Sequence, residues 1–172
     1  MRARARTERP LTPSTLERSA LWHLQRRAMT EHELRDKLTR KARRAEAAHG
    51  PQPLATSWID ALVERLRSSL LLNDRTVAEA RAASDARSGR SSRRIVERLR
   101  RRGVDGELIA EVVDRGAAAD LDAALIYARK RRLDLKEPQK ALATLARQGF
   151  SFDVAKRALS SLKDESDDVS RA

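Results

Sequence analysis

The stretch RSSRRIVERLRRRGVDGELIAEVV, residues 90–113, indicates how this chain folds. After two serines that suit a helix N-cap, apolar residues recur at helical spacing: Ile95, Val96 and Leu99. Gly103 then stands where the end of a helix favours a left-handed residue. Asp105-Gly106 opens another run with the same spacing: Leu108, Ile109, Val112 and Val113. The pattern predicts two helices joined through a glycine.

The same order of residues returns elsewhere in the chain. A shift of 46 residues places Gly149 on Gly103 and Leu145 on Leu99. A shift of 61 places Leu38 on Leu99, with Ala42 in the place of the glycine. A recurring period is the signature of a repeat array. We therefore predict three degenerate copies of one three-helix unit.

The repeat fixes the expected organisation, an all-α, elongated and curved array of three three-helix repeats. An insertion at about 42–56 is expected to form an extended or partly frayed connection, because the apolar pattern stops and His49-Gly50-Pro51-Gln52-Pro53 follows. Helix N-caps are expected at Ser14, Thr30 and Ser57. The predicted segments are a basic flexible arm at 1–13, repeat 1 at 14–73, repeat 2 at 74–116, repeat 3 at 117–163 and a frayed acidic tail at 164–172.

The excess of basic residues indicates which kinds of partner the protein binds and says little about its fold. Lys and Arg number 37 against 25 Asp and Glu, and the formal net charge of +12 attracts nucleic acid or acidic protein surfaces. The 172 residues include no cysteine, which excludes disulfides and fits a reducing compartment. No apolar run reaches the roughly 18 residues of a membrane span. We expect a cytoplasmic protein without a membrane partner.

The sequence contains no recognisable catalytic or metal-binding motif. The three histidines, His23, His32 and His49, have no metal-ligand spacing, and Gly103 is explained by helix capping rather than by phosphate binding. No nucleophile elbow or isolated carboxylate pair occurs. The sequence predicts no catalytic residue, no metal site and no cofactor, and therefore a protein that is not an enzyme.

Arginine is concentrated in the predicted second helix of repeat 2, with seven arginines among residues 90–102. At 100° per residue, Arg94, Arg98 and Arg101 fall within about 60° of one another, away from the apolar face. A solvated face with pairs such as Glu97 to Arg101 is the alternative interpretation. We predict ionic contacts to carboxylates or phosphates by a basic set that includes two equivalents in repeat 1: Arg90, Arg93, Arg94, Arg98, Arg101, Lys37 and Arg40.

The two tryptophans have two possible roles. Exposed tryptophans stack on single-stranded bases, and buried ones anchor a core. With only five aromatic residues in the chain, we expect Trp22 and Trp58 to anchor the core of repeat 1.

Several segments resemble the RecX family of bacterial recombination regulators. The most specific runs from Leu71-Leu72-Asn73-Asp74 through Arg87-x-Gly89 and Arg94-Ile95-x-x-x-Leu99 to Arg102-Gly103-Val104. Thr30-Glu31-x-Glu33-Leu34 supports the match, which covers roughly residues 16–163. The chain departs from the family pattern at Val77, at Gly89-Arg90-Ser91-Ser92 and at Ala42. Leu71, Leu72, Ile95, Leu99 and Gly103 are expected to be structural.

The resemblance implies a function in homologous recombination, DNA repair and the SOS response. RecX proteins bind the RecA nucleoprotein filament and modulate, most often inhibit, its ATP hydrolysis, strand exchange and co-protease activity. Single-stranded or duplex DNA is then a partner through the filament, and we expect a monomer. A three-helix unit with a basic second helix also resembles a helix-turn-helix, so the alternative is a stand-alone DNA-binding protein.

Overall fold

The computed structural model describes residues 10–169, with side chains to residue 166. This part of the chain contains nine α-helices and no strand, which confirms the all-α prediction. The helices are α1 Pro13–Arg26, α2 Glu31–His49, α3 Ala55–Ser68, α4 Asp74–Arg87, α5 Ser92–Arg100, α6 Gly106–Val112, α7 Ala117–Arg131, α8 Pro138–Arg147 and α9 Phe152–Val169.

The first compact unit ends at Val77 and contains α1 to α3 with the start of α4. Its three complete helices pack against one another around an aliphatic core that extends from Leu11 to Leu72. Leu16, Leu34 and Leu38 are fully buried there, and Trp58 packs against the core from its edge. Burial of these aliphatic faces is the main stabilising contribution in a chain so poor in aromatic residues.

The second compact unit begins at Ala78 and contains the rest of α4 and α5 to α9. It holds two apolar clusters, one around Ile95, Leu99 and Ile109 and the other around Leu145 and Phe150. Each predicted three-helix repeat thus has a cluster of its own, although the second and third share one compact unit. The limits of the three repeats, and their elongated and curved arrangement, stay predictions.

Several local expectations need correction. Helix α2 continues through Ala42 to His49, because the Ala, Arg and Glu residues of this stretch are strong helix formers. The expected connection is therefore much shorter. Leu11 is buried and Pro13 begins α1, so residues 10–13 belong to the folded unit. The rest of the predicted arm, residues 1–9, lies outside the described residues, and α9 extends into the predicted tail as far as Val169.

The N-caps agree with the sequence at two helices and differ at two. The Thr30 side chain accepts from the Glu33 N–H, and the Ser91 hydroxyl accepts from the Arg94 N–H, as predicted. Helix α1 is capped by Thr12 instead of Ser14. Helix α3 begins at Ala55 and has no side-chain cap, so the expected cap at Ser57 is wrong.

The ends of α5 and α8 are alike, as the shift of 46 residues predicted. Gly103 and Gly149 have φ angles of 72° and 90°, which a residue with a Cβ rarely adopts. In both places the residue after the glycine donates its N–H to the buried leucine of the preceding turn, Val104 to the Leu99 carbonyl and Phe150 to the Leu145 carbonyl. Of the other residues expected to be structural, Leu72 is buried, whereas Leu71 is 58% exposed.

A long-range hydrogen bond joins the second helix of one predicted repeat to the first helix of the next, once in each compact unit. The carboxylate of Asp74, in the first turn of α4, accepts from the Glu31 N–H at the start of α2, at 2.7 Å. The carboxylate of Asp120, in the first turn of α7, accepts from the Ser92 N–H at the start of α5, also at 2.7 Å. We call these contacts the first and second junctions.

The two junctions obey the same shifts as the rest of the repeat. Asp120 follows Asp74 by 46 residues, and Ser92 follows Glu31 by 61. The corresponding position in α8 is Pro138, the first residue of that helix, which has no N–H to donate. Each junction places a negative charge at a helix N-terminus, where the helix dipole favours it.

Gly89 brings α4 and α7 into backbone contact beside the second junction. A Cβ at this position would lie 2.7 Å from the Tyr127 nitrogen and 3.0 Å from the Ala123 carbonyl oxygen. The φ angle of 76° also favours glycine. The glycine therefore permits a close approach that a larger residue would prevent.

Candidate functional site

The predicted arginines of repeat 2 lie on α5 or within two residues of its ends. Ser92, Ile95, Val96 and Leu99 are the buried residues of this helix, whereas Arg93 and Arg94 are exposed. Ser91 fixes the start of the helix: its hydroxyl caps Arg94 and donates to the Gln148 carbonyl at 2.7 Å. These contacts set α5 against the end of α8 and so position the arginines.

Two of the predicted arginines are held by one internal acid. Asp85 lies near the end of α4 and its side chain is only 14% exposed. One of its oxygens accepts from Arg90 at 3.0 Å, and the other lies 2.8 Å from the Nε of Arg98. That Nε has no aligned hydrogen-bond acceptor among the described residues, so its contact with Asp85 is an ion pair.

Asp85 changes the interpretation of these two residues. Its carboxylate, largely removed from water, would be costly to leave without its cations. Arg90 and Arg98 therefore stabilise the fold, and only the outer part of each side chain faces solvent. The predicted stripe of Arg94, Arg98 and Arg101 is interrupted at its middle position.

The other predicted arginines of α5 are exposed. Arg93 is 75% exposed and has a loose ion pair with Glu97 at 3.5 Å. Arg94 donates to the Arg147 carbonyl at 2.8 Å, which anchors part of its guanidinium at the end of α8. Arg101 donates from Nε to the Glu97 carbonyl at 3.3 Å. Most of their N–H groups point to solvent.

Arg147 joins this surface although the sequence analysis did not select it. It is exposed on α8, and the bond from Arg94 to its carbonyl brings the two residues together. Its own Nε donates to the Ala143 carbonyl at 3.2 Å, four residues back, as Arg101 does. The shift of 46 residues, which aligns Arg147 with Arg101, is the sequence signal that could have identified it. We call Arg93, Arg94, Arg101 and Arg147 the α5 arginine surface.

The predicted pair in repeat 1 lies on α2. Arg40 makes the same Nε contact, to the Asp36 carbonyl at 3.1 Å, and its guanidinium lies 3.9 Å from the Asp36 carboxylate. Lys37 is half-buried and has no ion pair with any residue whose side chain the structure describes. Both residues belong to the first compact unit, and the α5 arginine surface belongs to the second.

The α5 arginine surface has the chemistry of anion recognition. A guanidinium group can donate two parallel hydrogen bonds to one carboxylate or phosphate. The guanidinium groups of this surface have several N–H donors that make no hydrogen bond within the described part of the protein. Among the side chains described, no group of three or more His, Asp and Glu residues is arranged to hold a metal ion. None of the described helices combines the length and the apolar character that a membrane span needs.

Comparison with known proteins identifies relatives of one family. Residues 73–113 match the family model described as RecX, second three-helix domain. Regulatory protein RecX of Myxococcus xanthus is 39% identical over 165 residues, 89% of this chain and 88% of that protein. Regulatory protein RecX of Agrobacterium fabrum is 33% identical over 159 residues, 88% and 85% of the two chains. The crystal structure of RecX from Lactobacillus salivarius superposes with a TM-score of 0.67 at 20% identity, over 88% of this chain and 96% of that one, a likeness of fold.

Proposed function

Because this chain belongs to the RecX family, we propose that it regulates RecA by binding the RecA nucleoprotein filament. Both relatives carry the name regulatory protein, which supports a role in control rather than in catalysis. The proposed effect is inhibition of ATP hydrolysis, strand exchange and co-protease activity. In this proposal the protein acts in the cytoplasm, in recombination, DNA repair and the SOS response, and has no enzymatic activity of its own.

The α5 arginine surface is the observation that carries the proposal. Its four arginines lie on one compact unit and leave guanidinium donors available to a polyanion. A nucleoprotein filament presents DNA phosphates together with protein carboxylates, and bidentate arginine contacts suit both. We assign the filament contact to Arg93, Arg94, Arg101 and Arg147. Arg90 and Arg98 contribute their exposed outer parts, and Lys37 and Arg40 contribute from repeat 1.

The proposal is tested by the DNA-dependent ATPase of RecA, measured with substoichiometric protein. We expect the wild-type protein to lower the rate. The variant Arg93→Ala/Arg101→Ala/Arg147→Ala should require about tenfold more protein for the same effect, because three charge-assisted contacts are lost. Arg94, Arg90 and Arg98 are left unchanged because each contacts a residue of another helix, Arg147 of α8 or Asp85 of α4.

The matched control removes three positive charges from α9. Lys156, Arg157 and Lys163 are exposed, and none has an ion pair with a described side chain. Lys156→Ala/Arg157→Ala/Lys163→Ala should inhibit RecA nearly as well as the wild type. Equal losses in both triple variants would mean that net charge alone, and no particular surface, governs binding.

The alternative function, a stand-alone DNA-binding protein, is separated by omitting RecA. Binding to duplex DNA of several sequences is measured across a salt series, since phosphate contacts weaken as salt rises. Sequence-specific duplex binding together with an unchanged RecA ATPase would refute regulation of RecA. The regulator proposal expects weak duplex binding with no sequence preference.

A further inference from the structure

Trp22 lies on the surface of α1, and its expected place in the core is wrong. The residue is 52% exposed, whereas Trp58 packs against the core as predicted. The guanidinium of Arg26, one turn further along α1, lies 4.7 Å from the centre of the Trp22 ring. The ring of His23 meets the indole edge-on, with 4.8 Å between the ring centres. The indole is thus oriented by its neighbours while about half of it faces solvent.

Positive charges from two helices act on His23, the ring that contacts Trp22. The pKa of His23 is lowered by partial burial and then by the charges of Lys37, Arg27, Arg26 and Lys41. Lys37 and Lys41, one turn apart on α2, are thus the cations of the neighbouring helix whose charge acts on His23.

Most of these cations are not neutralised within the protein. Arg27 has an ion pair with Glu33 at 3.3 Å. Arg26, Lys37 and Lys41 have none with the side chains described by the structure. An exposed indole with a cation on its face, and two partly buried lysines whose charge acts on the adjoining histidine, thus belong to the first unit.

We propose that Trp22, Arg26, Lys37 and Lys41 form a binding site for single-stranded nucleic acid, in which one base stacks on the indole. An unpaired base has a free π-face that an exposed indole binds without regard to sequence, and the neighbouring phosphates require cations. The guanidinium of Arg26 rests on the ring without an ion-pair partner among the described residues, so an incoming base displaces it toward the phosphate.

Other ligands use only part of this site. The bases of a duplex are stacked within the helix, so a side chain on the protein surface cannot reach their π-faces. An acidic polypeptide would bind the lysines but gains little from a half-exposed indole. The combination of ring and cations favours the single strand.

The site belongs to the first compact unit and shares no residue with the α5 arginine surface, and the proposal does not depend on RecA. It extends the role of Lys37, for which the sequence predicted only ionic contact. Experiments on it therefore use the full-length protein alone. Failure of this proposal leaves regulation of RecA untouched, and the reverse also holds.

The first experiment uses Trp22 as its own reporter in a Trp58→Phe background. An oligothymidylate of about 12 nucleotides, within the site size of single-strand binding folds, is added while tryptophan fluorescence is recorded. An oligonucleotide of the same length and charge with abasic residues serves as the second ligand. We expect strong quenching and tighter binding with the first ligand. Equal affinity and equal quenching with both would overturn the proposal, since no base would then be stacked.

The second experiment measures affinity by the anisotropy of a labelled oligothymidylate. Trp22→Ala should weaken binding about fivefold or more, the lower range for loss of one base stack, and Trp22→Phe should lie between that variant and the wild type. Trp22→Ala removes an exposed side chain, so the circular dichroism should not change. A Trp22→Ala variant that is folded and binds like the wild type would rule out the site.

The third experiment separates the charges from the ring. Lys37→Ala/Lys41→Ala should weaken binding and reduce the slope of log affinity against log salt by about 1.4, from about 0.7 per phosphate contact. Lys156→Ala/Arg157→Ala removes equal charge from α9 and should change neither quantity. If polyglutamate binds as well as the oligothymidylate and with the same dependence on Trp22, the site recognises acidic protein instead and the proposal is wrong.

Discussion

The first and second junctions use the same hydrogen bond in different surroundings. Each carboxylate accepts from a helix N-terminal N–H at 2.7 Å. At the first junction, burial raises the pKa of Asp74, the Glu31 N–H lowers it, and the carboxylates of Glu31 and Glu33 raise it further. At the second, Asp120 also receives the hydroxyl of Ser92 at 3.1 Å. The same contact is thus opposed by charge in one repeat and reinforced by a second donor in the next.

Two residues around the second junction contact neighbouring helices, and their equivalents around the first junction have different surroundings. Glu33 closes a capping box with Thr30 inside α2, whereas its equivalent Arg94 reaches from α5 to the end of α8. Gly89 contacts the backbone of α7, whereas its equivalent in the first repeat, Ala28, is exposed. The second junction is therefore built with more contacts to the following repeat. Repeat proteins are held together by such interfaces, and the difference predicts unequal stability.

The largest expected effect is that of Gly89→Ala. The new Cβ would meet backbone atoms of α7, which cannot move aside as a side chain can, and the positive φ adds a further penalty. We expect a loss of about 3 kcal/mol or more in the second unit, measured by urea unfolding with circular dichroism. The reverse substitution at the equivalent position of the first repeat, Ala28→Gly, should lower the free energy of unfolding by about 1 kcal/mol or less. Similar losses in the two variants would remove the distinction between the junctions.

Removal of the two carboxylates should give the next largest difference. Asp120→Ala leaves the N–H and the hydroxyl of Ser92 without this acceptor and should cost about 2–3 kcal/mol. Asp74→Ala removes one acceptor but also relieves the repulsion from Glu31 and Glu33, so about 1 kcal/mol is expected. Hydrogen exchange of the Ser92 and Glu31 amides reports each junction separately. A larger change at Glu31 than at Ser92 would reverse our ranking.

Neutral replacements should change stability with opposite signs. Asp74→Asn keeps an oxygen for the Glu31 N–H and removes a charge that the fold disfavours, so the melting temperature of the first unit should rise by roughly 1–2 °C at neutral pH. Asp120→Asn loses a charge-assisted pair of bonds and should lower the melting temperature of the second unit by roughly 2–4 °C. Trp22 and Trp58 both lie in the first unit, so tryptophan fluorescence follows the unfolding of that unit. A lower melting temperature for Asp74→Asn than for the wild type would contradict our inference that the fold disfavours the charge of Asp74.

The smallest expected effect is the dependence of stability on pH that Asp74 gives to the first junction. The pKa of Asp74 is raised in the folded state, so the folded protein binds this proton more tightly than the unfolded chain. Its contribution to stability is full below the unfolded pKa of about 3.9 and is lost as pH rises through the folded pKa. The difference in urea midpoint between wild type and Asp74→Asn, followed by fluorescence, should therefore widen with rising pH over this range. A constant difference would place the carboxylate in a more solvated site than the structure does.

Local sequence patterns predicted the features that depend on the backbone of a single helix. The glycines Gly103 and Gly149, the buried Leu99 and Leu145, and the caps at Thr30 and Ser91 lie where the spacing placed them. These features are decided by residues within a few positions of each other, so the sequence contains their cause. The extension of α2 to His49 was not predicted, because its apolar stripe ends before the run of Ala, Arg and Glu residues that continue the helix.

The candidate site was predicted less well because its chemistry depends on distant residues. Seven arginines in one stretch indicated a basic surface, but nothing in their spacing showed that Asp85 holds Arg90 and Arg98. Arg147 and the junction carboxylates belong to other helices and were not predicted; the sequence signal available for them is the recurrence of each residue at the shift of 46. Trp22 was misplaced since an aromatic residue at helical spacing fits either side of a short helix.

The proline at the start of α8 has a consequence for how this protein can grow. At both junctions the N–H at the start of a helix, α2 or α5, donates to the carboxylate of an aspartate in the next predicted repeat. Pro138, at the start of α8, has no N–H to donate. A further three-helix repeat fused after α9, by gene duplication or by protein engineering, would need another hydrogen bond to join it to α8. Replacing Pro138 with a residue that has a backbone N–H is the simplest way to supply that bond.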